Sequence, residues 1–209
     1  MTDRLLLNIL PQPIADRLKQ GEKIIADNFS EVTVLFSDFV GFTKMASDVT
    51  PALLVTRLNE IFSAFDDLCD SQGLEKIKMI GDAYMAVAGL PTLDPNHAGA
   101  AADLALAMQR EAVRLSALHE KPLQMRIGLC TGPVVAGVIG TKKFAYDLWG
   151  DTVNLASRME SHAPPGGILV TERTYESLRD TFFFRPSRVV RIKGKGSIST
   201  YRLISKKGA

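Results

Sequence analysis

The sequence predicts an α+β domain built on a mixed sheet, and three observations support this. Strand-like and helix-like segments alternate along the 209 residues. Two apolar runs, residues 74–79 and 83–88, are separated only by Ile80-Gly81-Asp82, which is typical of a tight antiparallel hairpin. Hydrophobic residues make up 46% of the chain, enough for one ordinary core. Because hairpins alternate with helices, an all-parallel, doubly wound sheet is not expected.

The N-terminal region is predicted to be a leader, residues 1–30, followed by a single domain over residues 31–205. Within the leader, Pro13 can begin a short helix that Gly21 ends. The domain should open with a strand, because apolar and polar residues alternate over residues 32–37.

A long helix and the hairpin come next. Thr50 is a capping hydroxyl and Pro51 a first-turn proline, so the helix should begin there. Apolar residues then recur at spacings of three and four until Gly73 ends the helix. The two strands of the hairpin follow directly.

The second half of the chain continues the alternation. Asn96 is expected to cap an alanine-rich helix over residues 98–118. Gly132 and Pro133 are expected to split two strands, residues 125–131 and 134–138. A third helix should begin at Asp151 or Thr152, before two late strands at residues 168–170 and 200–204 and a short helix near residues 174–179.

Composition and charge exclude several classes of function. A net charge of +2 is too small to indicate nucleic acid or an anionic membrane as the main partner. Cys69 and Cys130 are far apart and lack CxxC spacing, which argues against a zinc site or a disulfide framework and favours a reducing, cytoplasmic location. No apolar run is long enough to cross a bilayer, so membrane attachment is expected only through upstream domains.

Two aspartates carry the chemistry that the sequence predicts. Asp38 ends a strand-like run, and Asp82 lies in the hairpin turn. A carboxylate is costly to bury unless a cation or several donors meet it. Together they can hold two Mg²⁺ or Mn²⁺ ions, about 3.5–4 Å apart in two-metal sites, and such a pair indicates phosphoryl chemistry. The alternatives are that Asp38 caps the following turn and that Asp82 is an ordinary hairpin residue.

Two segments have the composition of phosphate-binding loops. After Asp38 the chain bends through residues 39–43, where backbone amides can face phosphate oxygens and Gly41 permits close approach. No GxxxxGK[ST] sequence is present. Lys193 and Lys195 lie in a basic, glycine-rich run that can reach a polyphosphate, although a surface basic loop has the same composition.

The segment YDLWGDTVNLASR, residues 146–158, is the most specific pattern in the chain. Asn154 and Arg158 are four residues apart and share one helix face. An amide beside a guanidinium suits a sugar phosphate, although a solvated polar stripe would look the same. Trp149 is expected to be a core residue rather than a platform for a base.

Four segments together resemble the catalytic domain of the class III nucleotidyl cyclases: LFSDFVGFT (residues 35–43), EKIKMIGDAY (75–84), YDLWGDTVNLASR (146–158) and IKGKG (192–196). The resemblance covers nearly the whole chain beyond the leader. It implies a ferredoxin-like βαββαβ core with a mixed, mainly antiparallel sheet flanked by helices. It also implies a homodimer with two equivalent sites at the interface, because in this family each site lies between two such domains.

The resemblance also implies roles for the residues that hold metal and phosphate. Asp38 and Asp82 match the aspartates that bind two divalent cations, with the Phe39 carbonyl as an extra ligand. Gly41, Phe42 and Thr43 are expected to contact the substrate in the turn that follows.

Further roles follow for residues of the second half. Asn154 matches the residue that orients the ribose, and Arg158 the one that stabilises the charged α-phosphate in the transition state. Lys193 matches the lysine that holds the terminal phosphates, with Lys195 beside it. Lys78 and Asp147 match the pair that selects the base.

The Lys78–Asp147 pair predicts ATP as the substrate. Lysine only donates and ionised aspartate only accepts hydrogen bonds, which fits the N1 acceptor and N6 donors of adenine. Guanylyl cyclases of the family carry Glu at the position of Lys78. The sequence therefore predicts an adenylate cyclase that forms 3′,5′-cyclic AMP and pyrophosphate. The alternatives are a guanylate or mixed-specificity cyclase, a catalytically silent nucleotide-binding module, and a two-metal nucleotidyl transferase with linear or dinucleotide products.

Overall fold

The computed structural model describes residues 6–42, 47–119, 122–140 and 143–208. Its first half contains helices and strands in the order α1 (Gln12–Lys19), β1 (Ala26–Phe39), α2 (Pro51–Ser71), β2 (Glu75–Ile80), β3 (Ala83–Ala88), α3 (His97–His119) and β4 (Met125–Ile139). The second half continues with β5 (Ala145–Trp149), α4 (Asp151–His162), β6 (Ile168–Thr171), α5 (Glu172–Leu178), β7 (Phe182–Pro186), β8 (Val190–Ile192), β9 (Gly196–Ile198) and β10 (Thr200–Lys206).

The main sheet has the strand order β2-β3-β1-β4-β6-β10-β7, and β5 pairs with the outer part of β4. Of the pairings between described strands, only β4 with β6 is parallel. Strands β8 and β9 form a separate hairpin. The run β1-α2-β2-β3-α3-β4 is the βαββαβ core, so the prediction of an α+β fold with a mainly antiparallel sheet is confirmed.

Each face of the sheet carries its own hydrophobic cluster. Helices α2 and α3 cover one face, where Phe65 and Leu104 pack against Leu35 and Ile127. On the other face α4 packs against the sheet through Ala156. This second face also carries Asp38, because Asp38 alternates with the residues of β1 that point toward the first cluster.

Local sequence signals place the helix ends where the patterns predict them. The Thr50 side chain accepts a hydrogen bond from the amide of Leu53 (3.4 Å), and Pro51 is the first helical residue of α2. Gly73 takes a φ of 71° after the last turn, a conformation that costs glycine little. None of the helices in the described part of the chain combines the length and hydrophobicity that a bilayer crossing requires.

Strand β4 differs from the prediction, because it runs without interruption through Gly132 and Pro133. The register of β1 against β4 shifts between Phe29 and Val32, so a bulge lies beside the proline. A bulge leaves a position without a ladder hydrogen bond, which suits a residue that lacks an amide hydrogen. The two predicted strands are therefore one strand with an irregular partner.

The N-terminal segment also differs from the prediction. Strand β1 begins at Ala26, inside the predicted leader, and Leu10, Ile14 and Ala15 are buried in the cluster on the α4 face. The prediction that these residues lie outside the core is therefore wrong. Arg17 fixes the connection to β1 by donating to Glu22 (2.7 Å) and to Asp27 (2.5 Å).

Candidate active site

Asp38 and Asp82 come together at one end of the sheet. Asp38 is near the end of β1, and Asp82 follows Gly81 in the turn between β2 and β3. Because β3 pairs with β1 as far as Ser37, this turn lies beside Asp38. Burial, and then the neighbouring Asp38 carboxylate, raise the pKa of Asp82 to about 6. The charged form of Asp82 is therefore disfavoured beside Asp38, and a cation at this site would stabilise it.

The donors at this site fit a hard divalent cation. The described residues contain no group of three or more His, Cys, Asp and Glu side chains arranged for a metal. Mg²⁺, however, is commonly held by one or two carboxylates, with water and substrate phosphates completing its shell. Asp38, Asp82 and the backbone carbonyl of Phe39 supply only oxygen, the ligand type that Mg²⁺ and Mn²⁺ prefer.

Arg126 and Glu160 also belong to this site, although neither was predicted from the sequence. Arg126 lies directly opposite Asp38 in the β1–β4 register, and its Nη2 donates to Asp38 Oδ2 at 2.9 Å. The Nε of the same guanidinium is 3.4 Å from Oε1 of Glu160 on α4. Burial, and then the charge of Asp38, raise the pKa of Glu160 to about 7. No local motif marks these residues, since the strand register brings Arg126 to Asp38 and the packing of α4 brings Glu160 there.

The turn after Asp38 offers mainly backbone to a ligand. The ring of Phe39 is buried and lies 6.1 Å from the ring of Phe62, so only its main chain faces the site, where its amide donates to Asp38 Oδ1 (2.8 Å). Gly41 has a φ of 73°, and no atom of the described residues lies within 4 Å of the position of a Cβ, so a ligand can approach it closely. The Phe42 side chain packs against the helix-side cluster, and Thr43 lies outside the described residues.

Lys78 and Asp147 form an ion pair. Lys78 Nζ on β2 donates to Asp147 Oδ2 on β5 at 2.5 Å, and Asp147 Oδ1 accepts from the amide of Leu148 at 2.8 Å. The side chains are 41% and 20% exposed, so both remain accessible to a ligand. A cation and a carboxylate side by side present donors next to acceptors, which is what a base edge requires.

Asn154, Arg158 and Lys193 line one cavity of about 500 Å³. The first two lie on the exposed face of α4, and Lys193 is at the tip of the β8–β9 hairpin. In the same loop Lys195 forms an ion pair with Asp151, which ties the tip to the first turn of α4. The cavity therefore carries the amide and cations that a sugar triphosphate would meet.

Helix α4 approaches β4 at Gly128. A Cβ at this position would lie 2.1 Å from the amide nitrogen of Glu160 and 2.3 Å from the carbonyl oxygen of Ala156. Only glycine permits backbone to lie this close to backbone. Gly128 thus sets the distance of α4 from the sheet, a function that the sequence analysis did not identify.

The predicted site residues fall into separate groups. Among the described residues, no hydrogen bond or ion pair joins Asp38 or Asp82 to Lys78, Asp147, Asn154, Arg158 or Lys193.

Exposed apolar side chains lie around both regions. Val40, Met79 and Ile80 flank the aspartates, and Val135 and Trp149 lie on the β4–β5 hairpin that carries Asp147. The expectation that Trp149 is a core residue is wrong, because it is 38% exposed. An apolar surface around both parts of a site is typical of an interface with another chain.

Comparison with known proteins assigns the chain to one family. The family model for the adenylate and guanylate cyclase catalytic domain matches residues 24–205. An adenylate cyclase of Mycobacterium tuberculosis is 50% identical over 209 residues, which cover all of this chain and 47% of that protein. The human guanylate cyclase soluble subunit beta-2 is 41% identical over 205 residues, 97% of this chain and 33% of that protein. The chain thus spans about half or less of the length of these relatives.

Solved structures give the same assignment. The catalytic core of a rhodopsin-guanylyl cyclase with converted specificity, in complex with ATPalphaS, has a TM-score of 0.83 and 37% identity, over 86% of this chain and 98% of that one. The adenylyl cyclase CyaB from P. aeruginosa has a TM-score of 0.83 and 28% identity, and the match covers 86% of this chain and 96% of that one. The resemblance found in the four sequence motifs is confirmed: the chain belongs to the family of adenylate and guanylate cyclase catalytic domains.

Proposed function

We propose that this chain is an adenylate cyclase domain that converts ATP to 3′,5′-cyclic AMP and pyrophosphate, in a homodimer with a site at each side of the interface. The observation that carries the proposal is the ion pair between Lys78 Nζ and Asp147 Oδ2 at 2.5 Å. Both members of the base-selecting pair are present, in contact and accessible. The 50% identity to a mycobacterial adenylate cyclase supports the same conclusion.

The pair favours adenine over guanine by its hydrogen-bonding groups. Lys78 donates to N1 of adenine, and Asp147 accepts from N6. Guanine presents a donor at N1 and an acceptor at O6, so each side chain would face a group of its own kind. A buried polar group left unpaired costs about 1–3 kcal/mol, which corresponds to about 5- to 160-fold in kcat/KM.

The remaining side chains orient the ATP and stabilise the transition state. Asn154 holds the ribose so that its 3′-oxygen faces the α-phosphorus, and Lys193 binds the terminal phosphates. Arg158 meets the charge that develops on the α-phosphate, so it contributes mainly in the transition state. Asp38, Asp82 and the Phe39 carbonyl would hold two divalent cations, which lower the pKa of the 3′-hydroxyl and neutralise phosphate charge.

Assembly of the site from two chains follows from the separation of its parts. Asp38 and Asp82 of one chain face the cavity of Asn154 and Arg158 of a second chain, and a two-fold axis repeats the arrangement. The exposed apolar side chains around both regions provide the surface that two chains would bury.

The direct test incubates the purified chain with ATP or GTP and Mg²⁺ or Mn²⁺ and identifies the products by mass. We expect cyclic AMP and pyrophosphate from ATP, with little cyclic GMP from GTP. A preference for GTP would contradict the base assignment. A linear or dinucleotide product, or none with any cation, would contradict the cyclase assignment.

A double variant tests the base assignment separately. Lys78→Glu with Asp147→Ser should lose ATP turnover, because the acceptor for N6 and the donor for N1 are both gone. Glu111→Gln provides a control on α3, where Glu111 forms an ion pair with Arg114. Unchanged ATP kinetics in the double variant would remove both residues from base recognition.

A further inference from the structure

Two buried polar atoms near Asp38 face each other without a hydrogen bond. These are Nε of Arg126 and Oε1 of Glu160, 3.4 Å apart, and neither has another hydrogen-bond partner among the described residues. Glu160 is only 8% exposed. More than nine-tenths of buried polar groups in proteins are hydrogen-bonded, so a facing pair of opposite charge that is not bonded requires an explanation.

The geometry shows what prevents this contact from closing. The same guanidinium is held by Asp38, whose Oδ2 accepts from Nη2 of Arg126 at 2.9 Å. Arg126 therefore lies between two carboxylates and forms an ion pair with each, but it is hydrogen-bonded to Asp38 and not to Glu160. Asp38 comes from β1 and Glu160 from α4, so the guanidinium is shared between the sheet and the helix.

We propose that Glu160 is a positioning residue that takes over the guanidinium of Arg126 when a divalent cation occupies the carboxylate of Asp38. The inference rests on the proposed function, since the cation site is part of it. A cation at Asp38 and the guanidinium compete for the same oxygen. When the guanidinium turns toward Glu160, the two unsatisfied atoms gain their hydrogen bond.

The charges around the site make this transfer favourable. Burial, and then the neighbouring Asp38 carboxylate, raise the pKa of both Asp82 and Glu160, and Arg126 is the cation beside them. If Arg126 left Asp38 without a new partner, a largely buried cation would be unpaired, which is strongly unfavourable. Glu160 offers a partner within one small movement. It therefore lowers the free energy that a divalent cation must supply to displace Arg126.

Binding of Mn²⁺ to the nucleotide-free protein tests the inference without using activity. The concentration of free Mn²⁺ is measured by electron paramagnetic resonance at pH 8, where the Glu160 carboxyl group, with a pKa of about 7, is ionised. Wild type is compared with Glu160→Gln, Arg126→Met and the double variant, and Asp38→Asn identifies the site. We expect Glu160→Gln to weaken Mn²⁺ binding about three- to tenfold and Arg126→Met not to weaken it.

The double variant separates transfer from a general effect of charge. If Glu160 acts by receiving Arg126, then Glu160→Gln should change Mn²⁺ affinity less than about twofold once residue 126 is methionine. An equal loss of affinity with and without Arg126 would overturn the inference, because the effect would be only that of a removed negative charge. Wild-type affinity in Glu160→Gln would overturn it as well.

Two further variants guard against effects on folding. Glu160→Asp keeps the charge but withdraws the carboxylate, so it should weaken Mn²⁺ binding as Glu160→Gln does. Glu111→Gln, the same change at an arginine-paired glutamate far from the site, should leave Mn²⁺ affinity unchanged. All variants are compared by thermal melting before titration.

Failure of this inference is distinguishable from failure of the proposed function. If wild type forms cyclic AMP and Asp38→Asn abolishes Mn²⁺ binding, while Glu160→Gln binds Mn²⁺ normally, only the role of Glu160 is refuted. If Asp38→Asn binds Mn²⁺ as wild type does, then neither the cation site nor the transfer of Arg126 stands.

Discussion

Replacing Gly128 with alanine should move helix α4 away from the sheet. The new Cβ would lie 2.1 Å from the amide nitrogen of Glu160 and 2.3 Å from the carbonyl oxygen of Ala156. Both atoms are backbone, so no side chain can turn aside. Because Cβ atoms essentially never approach other heavy atoms closer than 3.0 Å, the helix must recede by about 1 Å or tilt by an equivalent amount.

The displacement should affect catalysis more than stability. Overpacking of this kind costs about 1–3 kcal/mol of unfolding free energy, or about 2–4 °C of melting temperature per kcal/mol for a domain of this size. Asn154 and Arg158 move with α4, and a 1 Å misplacement of a positioned group can lower turnover about 100-fold. The loss should fall mainly on kcat, because Arg158 is proposed to act in the transition state.

The assay measures kcat and KM for cyclic AMP formation, together with the melting temperature. Ile127→Val is the matched control: residue 127 is adjacent on β4, but its buried side chain faces the α2–α3 cluster, and the change costs about 0.5–1.5 kcal/mol. It should lower the melting temperature and leave kcat near that of wild type. Wild-type kcat in Gly128→Ala, or equal losses of kcat in the two variants, would refute the claim that Gly128 sets the position of the catalytic helix.

Three other expectations test the assembly, the N-terminal segment and one partly buried acid. Asp38→Ala and Arg158→Ala should each be inactive alone. An equal mixture should recover about a quarter of wild-type activity, because half of the dimers are mixed and each mixed dimer has one intact site of its two. No recovery of activity would contradict a site shared between two chains. Ile14→Ala should lower the unfolding free energy by about 2–5 kcal/mol, since Ile14 is 2% exposed, and calorimetry should find it far less stable than wild type. Burial, and then the charge of Asp70, raise the pKa of Glu75 to about 7. Between pH 4.5 and 7 the native state therefore binds more protons than the unfolded state, and the free energy of unfolding falls as pH rises through that window. The melting temperature of Glu75→Gln relative to wild type should therefore rise from pH 5 to pH 8, and a constant difference would contradict this assignment.

Features encoded by neighbouring residues could be predicted from the sequence. The start of α2 depends on Thr50 and Pro51, and its end on Gly73, so the local pattern was sufficient. The hairpin of β2 and β3 was predicted for the same reason, with Gly81 supplying a φ of 65° in its turn.

Features that depend on strand register could not be predicted in this way. Arg126 meets Asp38 only because β1 and β4 pair in a particular register. That register changes at a bulge between Phe29 and Val32. A single-residue slip would turn Arg126 to the opposite face. Gly128 is similar, since in sequence it is only a glycine in a strand, and its importance appears when α4 is placed against it.

The N-terminal segment shows a third limit of sequence patterns. Its short predicted helix before the first strand was interpreted as a leader rather than core, although Leu10 and Ile14 are apolar. Their burial depends on partners far along the chain, including Tyr146 and Leu148 of the strand that carries Asp147. The domain boundary predicted at residue 31 therefore divides residues that share one hydrophobic cluster.

The two faces of α4 explain why catalysis should require two chains. Its inward face uses Ala156, Met159 and Glu160, which pack on the sheet or meet Arg126 beside Asp38. Asn154 and Arg158 lie on the exposed face, turned away from that carboxylate. A helix cannot direct both faces to one substrate. The aspartates that complete a site with Asn154 and Arg158 should therefore belong to another chain. Activity per chain should then rise with protein concentration until dimers predominate.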